Sequence, residues 1–173
     1  FITRRQLILE CFTGNDARSR LDFAGQPQNF IARVTIIVHS STSVSSAINY
    51  RTTGWQNANN TYAYVAEVYN NKVELGRGTN TSSGAGAFTS IATATVSLAT
   101  DSVHVLEVEV SGNTHTVRLD GIAYIDHVTD TTYPNAGYIG LRLRNSSGAT
   151  VTRAFDSFGV VAALSGTWQS PSI

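Results

Sequence analysis

The chain has 173 residues, 42% hydrophobic and 14% charged, and its 12 basic side chains are balanced by 12 acidic ones. That length suits one domain with a sizeable core, and the cancelled charge argues against a general binder of nucleic acid or anionic membrane. The 18 serines, 21 threonines, 12 asparagines and 14 glycines, set beside abundant Val, Ile, Tyr and Phe, point to many strands joined by polar turns.

No apolar run approaches the roughly 18 to 20 residues of a membrane-spanning helix. The apolar stretch after Arg4 and Arg5, Leu7 to Leu9, is far too short for a secretion signal. Cys11 is alone, so neither an internal disulfide nor a cysteine metal cage is available, and a buried thiol is expected. The lack of any Met and the start at Phe1 suggest a processed or excised part of a longer protein.

Alternation with a period of two runs from one end to the other. Asn29 to His39 sets Phe30, Ala32, Val34, Ile36 and Val38 on one face, and Ala47 to Arg51 sets Ile48 and Tyr50 against Asn49 and Arg51. Tyr62 to Tyr69 and Lys72 to Arg77 follow as strands, with Asn70-Asn71 as the turn between them. Gly78 to Ala87, rich in Gly, Ser, Thr and Asn, is expected to be a mobile or ligand-facing loop. Val103 to Ser111 alternates His104, Leu106, Val108 and Val110 with Val105, Glu107 and Glu109. Gly112-Asn113 and Asp120-Gly121 are turn signals on either side of the strand Thr114 to Leu119, and Ile122 to Ile125 continues the meander. Tyr138 to Arg144 places Ile139, Leu141 and Leu143 inside, with Tyr138, Arg142 and Arg144 outside, and Thr152 to Val161 is anchored by Phe155 and Phe158.

Ten or more short strands of this kind predict an all-β, antiparallel two-sheet sandwich, a jelly roll. It is read as a single domain: an N-terminal strand or extension over 1–28, the jelly roll over 29–164 and a polar tail over 165–173.

The order of motifs NFIARVTIIV, INYR, TYAYVAEVYNNKVEL, VHVLEVEVSGNTHTVRLDG, DTTYPNAGYIGLRLR and AFDSFGVV resembles the concanavalin A-like lectin/glucanase superfamily. The nearest resemblance is to the laminin-G-like jelly rolls of bacterial carbohydrate-binding modules and of domains related to 3-keto-disaccharide hydrolases. It covers roughly 130 residues from Phe30 onward, and it implies two antiparallel sheets, one concave, with sugar bound on the concave face or its rim. A structural Ca²⁺ is a further implication, with Asp156 and Asp22 or Asp16 as ligands, or Asp126 and Asp130 from another acidic loop. No other cofactor is required.

The residue types suit sugar recognition, since aromatic faces stack on pyranose rings while Arg, Asn and carboxylates hydrogen-bond hydroxyls. Arg51 is the first candidate, as a charged side chain on the face opposite Tyr50, with pairing to Glu67 or Glu109 as the alternative. Trp55, a large aromatic among small polar residues in TTGWQNANNTY, is either a sugar platform or a rim residue over the end of the core. Tyr64, with Arg51 and Arg77, forms a candidate groove unless Tyr62 and Tyr64 merely pack across strands. Tyr138 and Arg142 complete the set, solvated sheet-face residues being the alternative.

Catalysis is not expected. The strand Glu107-Val-Glu109-Val-Ser111 lacks the third acidic position of the laminarinase-like glucanases, and the four histidines show no zinc-binding spacing. The leading expectation is a non-catalytic carbohydrate-binding module of a larger extracellular or surface-exposed protein. Its partners would be a glycan, polysaccharide or host surface carbohydrate, together with other domains or subunits of its assembly. The alternative is a virion structural or adhesion domain, such as a phage decoration or tail protein, and a third reading is a glycoside hydrolase-related enzyme.

Overall fold

The computed structural model describes residues 16–21, 27–38, 44–53, 61–69, 71–80, 87–145 and 155–162. Trp55, Asp22 and Cys11 lie outside the described residues, and of Asp16 to Leu21 only the backbone is described. Eleven strands form: β1 (Asp16–Leu21), β2 (Phe30–Ile37), β3 (Val44–Thr52), β4 (Thr61–Tyr69), β5 (Lys72–Asn80), β6 (Ala87–Thr95), β7 (Val103–Ser111), β8 (Thr114–Leu119), β9 (Ile122–Thr129), β10 (Tyr138–Asn145) and β11 (Phe155–Ala162). Sheet A has the order β1-β10-β3-β4-β5-β6 and sheet B the order β11-β2-β7-β8-β9, with every pairing antiparallel.

The alternation read from the sequence builds the core directly. Phe30, Ala32, Val34 and Ile36 of β2, Leu106, Val108 and Val110 of β7, and Val117 and Leu119 of β8 form the inner face of sheet B. Ile48 and Tyr50, Tyr64, Ala66 and Val68, Val73 and Leu75, and Ile139 and Leu141 answer them from sheet A. Residues with positive φ sit in the expected hairpins, at Asn71, Gly112 and the Asp120-Gly121 pair. The loop expected over Gly78 to Ala87 is shorter than read: β5 runs on to Asn80, and β6, which the sequence left unassigned, begins at Ala87.

Three of the register shifts in the sandwich turn side chains over. An extra residue in one strand reverses the inward and outward sense of everything beyond it. In β11 the shift between Asp156 and Phe158 lets Phe155 and Phe158 both pack on the core. In β3, Tyr50 and Arg51 together oppose Ile139, with Arg51 at φ 50°. In β6, Ala92 pairs with Leu75 and Ser90 with Gly76, so Ile91 is the extra residue.

Candidate functional site

The bulge in β3 decides what Arg51 does. Expected on the face opposite Tyr50, it turns inward beside it, is only 1% exposed, and spans to sheet B. Its guanidinium donates to the Gly112 carbonyl, to Asn113 Oδ1 at 3.4 Å, to the Tyr133 carbonyl at 3.0 Å and to the Gln28 carbonyl at 3.3 Å. These oxygens, and neither Glu67 nor Glu109, are its partners, and burial lowers its pKa. The chain passes this bulge closely at Gly137, where a Cβ would lie 2.6 Å from the Arg51 carbonyl carbon, so only glycine fits.

Arg51, Tyr64 and Arg77 do converge, with Arg51 and Tyr64 buried between the sheets and Arg77 half-buried at the end of the core. Tyr64 is fully buried, stacked on Tyr50 with ring centroids 5.4 Å apart and tilted against His115 at 4.6 Å. Its hydroxyl donates to Asp130 Oδ1 at 2.7 Å and accepts from the Tyr133 N–H at 3.1 Å, and burial followed by the Asp130 bond pushes its pKa up to about 12. Arg77 pairs with the other carboxylate oxygen of Asp130. Tyr50 Oη lies 3.0 Å from His115 Nδ1, and burial lowers the His115 pKa to about 4. The groove expected from these three residues is therefore a polar clasp closing one end of the core, because a bulge and cross-sheet packing turn the polar atoms toward sheet B. Tyr62, stacked on Tyr133 at 4.2 Å, extends the same cluster.

Glu107 and Glu109 lie on the outward face of sheet B. Glu107 is gripped by Arg33 and by Arg118 at 3.1 Å, and Arg118 reaches Glu109 at 2.7 Å. His104 is satisfied between Ser102 Oγ at 2.7 Å and Asp120 Oδ2 at 2.6 Å. The Asp156 carboxylate accepts from the Ser157 N–H at 2.8 Å, and among the described residues no group of three or more His, Cys, Asp or Glu side chains is disposed to hold a metal ion.

The outer face of sheet A is different. Every residue of β3 is buried, on both faces, although the described strands form only two layers. Register assembles this face in rows: Arg142, Ala47, Glu67, Glu74 and Thr93 across five strands, with Gly140, Asn49, Val65, Gly76 and Ser90 beside them. Ser45 sits opposite Arg144, and Tyr138 opposite Thr52. Arg142 and Tyr138 are thus on the outward side, as their alternation predicted.

Polar atoms in the centre of this face lack partners. Asn49 Oδ1 is withdrawn from solvent with no hydrogen-bond partner, and Ser45 Oγ and Glu67 Oε2 are withdrawn with no partner beyond each other. Burial raises the Glu67 pKa and the Glu74 carboxylate raises it further, opposed by Ser45, Arg142 and Arg144. Tyr69 is pushed up to about 12 by its bond to Glu74 and by burial. Of these residues the sequence singled out only Arg142. A Glu in an otherwise apolar strand, YAYVAEVY, was the available signal, and its cross-strand partner Glu74 was not visible without the register.

No protein-family model matches the sequence, nor does any curated protein sequence. Among solved structures, the chain is similar to the carbohydrate-binding module CBM66 from Bacillus subtilis (TM-score 0.57, 19% identity, covering 85% of this chain and 80% of that one). It is similar to the exoplasmic/lumenal domain of VIP36 in its Ca²⁺/Man-bound form (0.61, 15%, 97% and 82%) and to the β-glucanase of Bacillus licheniformis (0.50, 18%, 84% and 68%). The fold is the concanavalin A-like jelly roll that the motif order implied.

Proposed function

We propose that this chain is a non-catalytic glycan-binding module of a larger extracellular or surface-exposed protein, and that the outer face of sheet A holds the sugar. The observation that carries this reading is a set of buried polar atoms on one face, Asn49 Oδ1 with no partner and Ser45 Oγ and Glu67 Oε2 with none beyond each other. Leaving such an atom unbonded costs about 1–3 kcal/mol, a cost removed by a ligand that brings several hydroxyl donors at sheet spacing. A polyol ring does so without bringing net charge into a face where Arg142 and Arg144 already offset Glu67 and Glu74. The likeness to a carbohydrate-binding module and to a domain solved in a Ca²⁺/Man-bound form supports the same reading.

A glycan array, run with and without Ca²⁺ and followed by calorimetry, tests it. Binding that falls at least tenfold in Asn49→Ala and Glu67→Gln supports it, and an array with no ligand overturns it. Glu67 and Glu74 face each other directly across β4 and β5, and a β-glucanase is among the similar folds, which favours a hydrolase as the second reading. Release of reducing sugar from the bound glycan, lost in Glu74→Gln, would replace the non-catalytic reading with that one.

A further inference from the structure

The β6 bulge places an aromatic ring where simple alternation would not. Phe88, Ser90, Ala92, Ala94 and Val96 share one parity, and Ala92 and Ala94 pair with the core residues Leu75 and Val73, while Val96 is buried. Unbroken, that pattern would send Phe88 between the sheets. The extra residue Ile91, packed on the core, reverses the sense beyond it. Phe88 thereby pairs with Gly78 on the outer face, 41% exposed.

Its ring is seated by a glycine. A Cβ at Gly76 would lie 2.2 Å from Phe88 Cζ, and 2.7 and 2.9 Å from the two Cε atoms, so the tip of the ring occupies the space any side chain there would take. Gly76 belongs to the row of Asn49 and Val65 and is two residues from Glu74. At ~4.8 Å between strands and ~7 Å between same-face residues of one strand, a sugar resting on the ring over β5 has Glu74 and Glu67 at its edge. The remaining floor is small, with Ala47, Ala63, Gly78 and Gly140 on the same face.

We infer that Phe88 is the specificity-determining aromatic platform of this face, stacking on a pyranoside ring through a run of axial C–H bonds while the carboxylates take its hydroxyls. This rests on the glycan-binding reading above and adds to it the ring face that is recognised. A phenyl ring has no hydrogen-bonding group, so its contribution is contact with C–H bonds and its π face. Gly76 is the positioning residue that lets the ring lie down on the sheet.

The test titrates the full chain with cello-, xylo-, manno- and β-1,4-galacto-oligosaccharides and continues with the tightest of them. Phe88→Ala should weaken that ligand at least tenfold with an unchanged melting curve, and Phe88→Trp should restore binding. Gly76→Ala should weaken it with Phe88 still present, since the ring is displaced. With 4-fluorophenylalanine at position 88, the ¹⁹F resonance should move on addition of the sugar. Affinity within twofold of wild type in Phe88→Ala, or a ¹⁹F signal that does not move, overturns the platform while loss of binding in Glu67→Gln leaves the face itself standing. If no oligosaccharide binds the unaltered chain, both fall.

Discussion

Two bulges in sheet A act in opposite directions. The one in β3 takes a charged side chain off the outer face and buries it, whereas the one in β6 takes a large apolar side chain out of the core path and lays it on that face. Each is a single extra residue, so the energetic difference lies in what meets the side chain. Arg51 finds four oxygen acceptors for its two terminal nitrogens at the end of the core, with Nε left buried and unbonded. Phe88 finds a glycine and remains part exposed, a placement that stability alone does not favour. The first bulge therefore serves the fold, and the second fits a binding face.

The contrast can be broken most severely at Arg51. Arg51→Ala leaves the carbonyls of Gly112, Tyr133 and Gln28 without their donor, and is expected to cost about 3 kcal/mol, a fall in Tm on the order of 10 °C by calorimetry. Glycan affinity per folded molecule should hardly change. Arg51→Lys should recover little, because one ammonium does not reach acceptors spread on both guanidinium nitrogens.

Acid should act on the same clasp. The His115 pKa is depressed to about 4 in the folded protein, so the neutral imidazole is stable there while the unfolded chain takes up a proton below about 6.5. Stability is then full above pH 6.5 and is lost as pH falls toward 4, by about 3 kcal/mol in total. Denaturant melts at several pH values should show this slope, and His115→Gln should flatten it.

Removing the second bulge by deleting Ile91 returns Phe88 to the inward sense. Sugar binding should fall as it does in Phe88→Ala, with a stability cost of about 1–3 kcal/mol from crowding the core and losing the Ile91 contacts, measured by urea melts.

Glu67→Gln should separate the two roles more gently. Burial holds its carboxyl above the usual range, so its contribution to stability is present below the unfolded pKa and is lost as pH rises through the folded one. The Gln variant should melt higher at neutral pH while binding sugar more weakly. Smallest of all, Glu109→Gln on the outward face of sheet B should leave sugar affinity unchanged by calorimetry.

The legible part of the candidate site was Asn49, set opposite Ile48 and Tyr50 by alternation, and β10. There the alternation is unbroken from Gly140 to Arg144, and Arg142 lies on the outward side where its parity put it. Arg51 was misplaced for a definite reason: the extra residue that inverts it is set by pairing with Ile139, 88 positions away in the chain, and no local pattern announces it. Tyr64 reads as a groove residue or as ordinary cross-strand packing, and its stacking on Tyr50 and tilted contact with His115, from two other strands, place it in the core. Trp55 and the Asp22 half of the calcium expectation lie outside the described residues.

By itself the sequence determined most of the strands, β6 excepted, the tight hairpins and the jelly-roll class, because a period of two and the backbone demands of Asn-Asn, Gly-Asn and Asp-Gly turns are local. Tertiary structure alone decided which side chains share a face, since one extra residue in β3 or β6 reverses every side chain beyond it and costs little until the partner strand is present. It was the register across five strands that brought Asn49, Glu67, Glu74 and Arg142 together and laid Phe88 on Gly76.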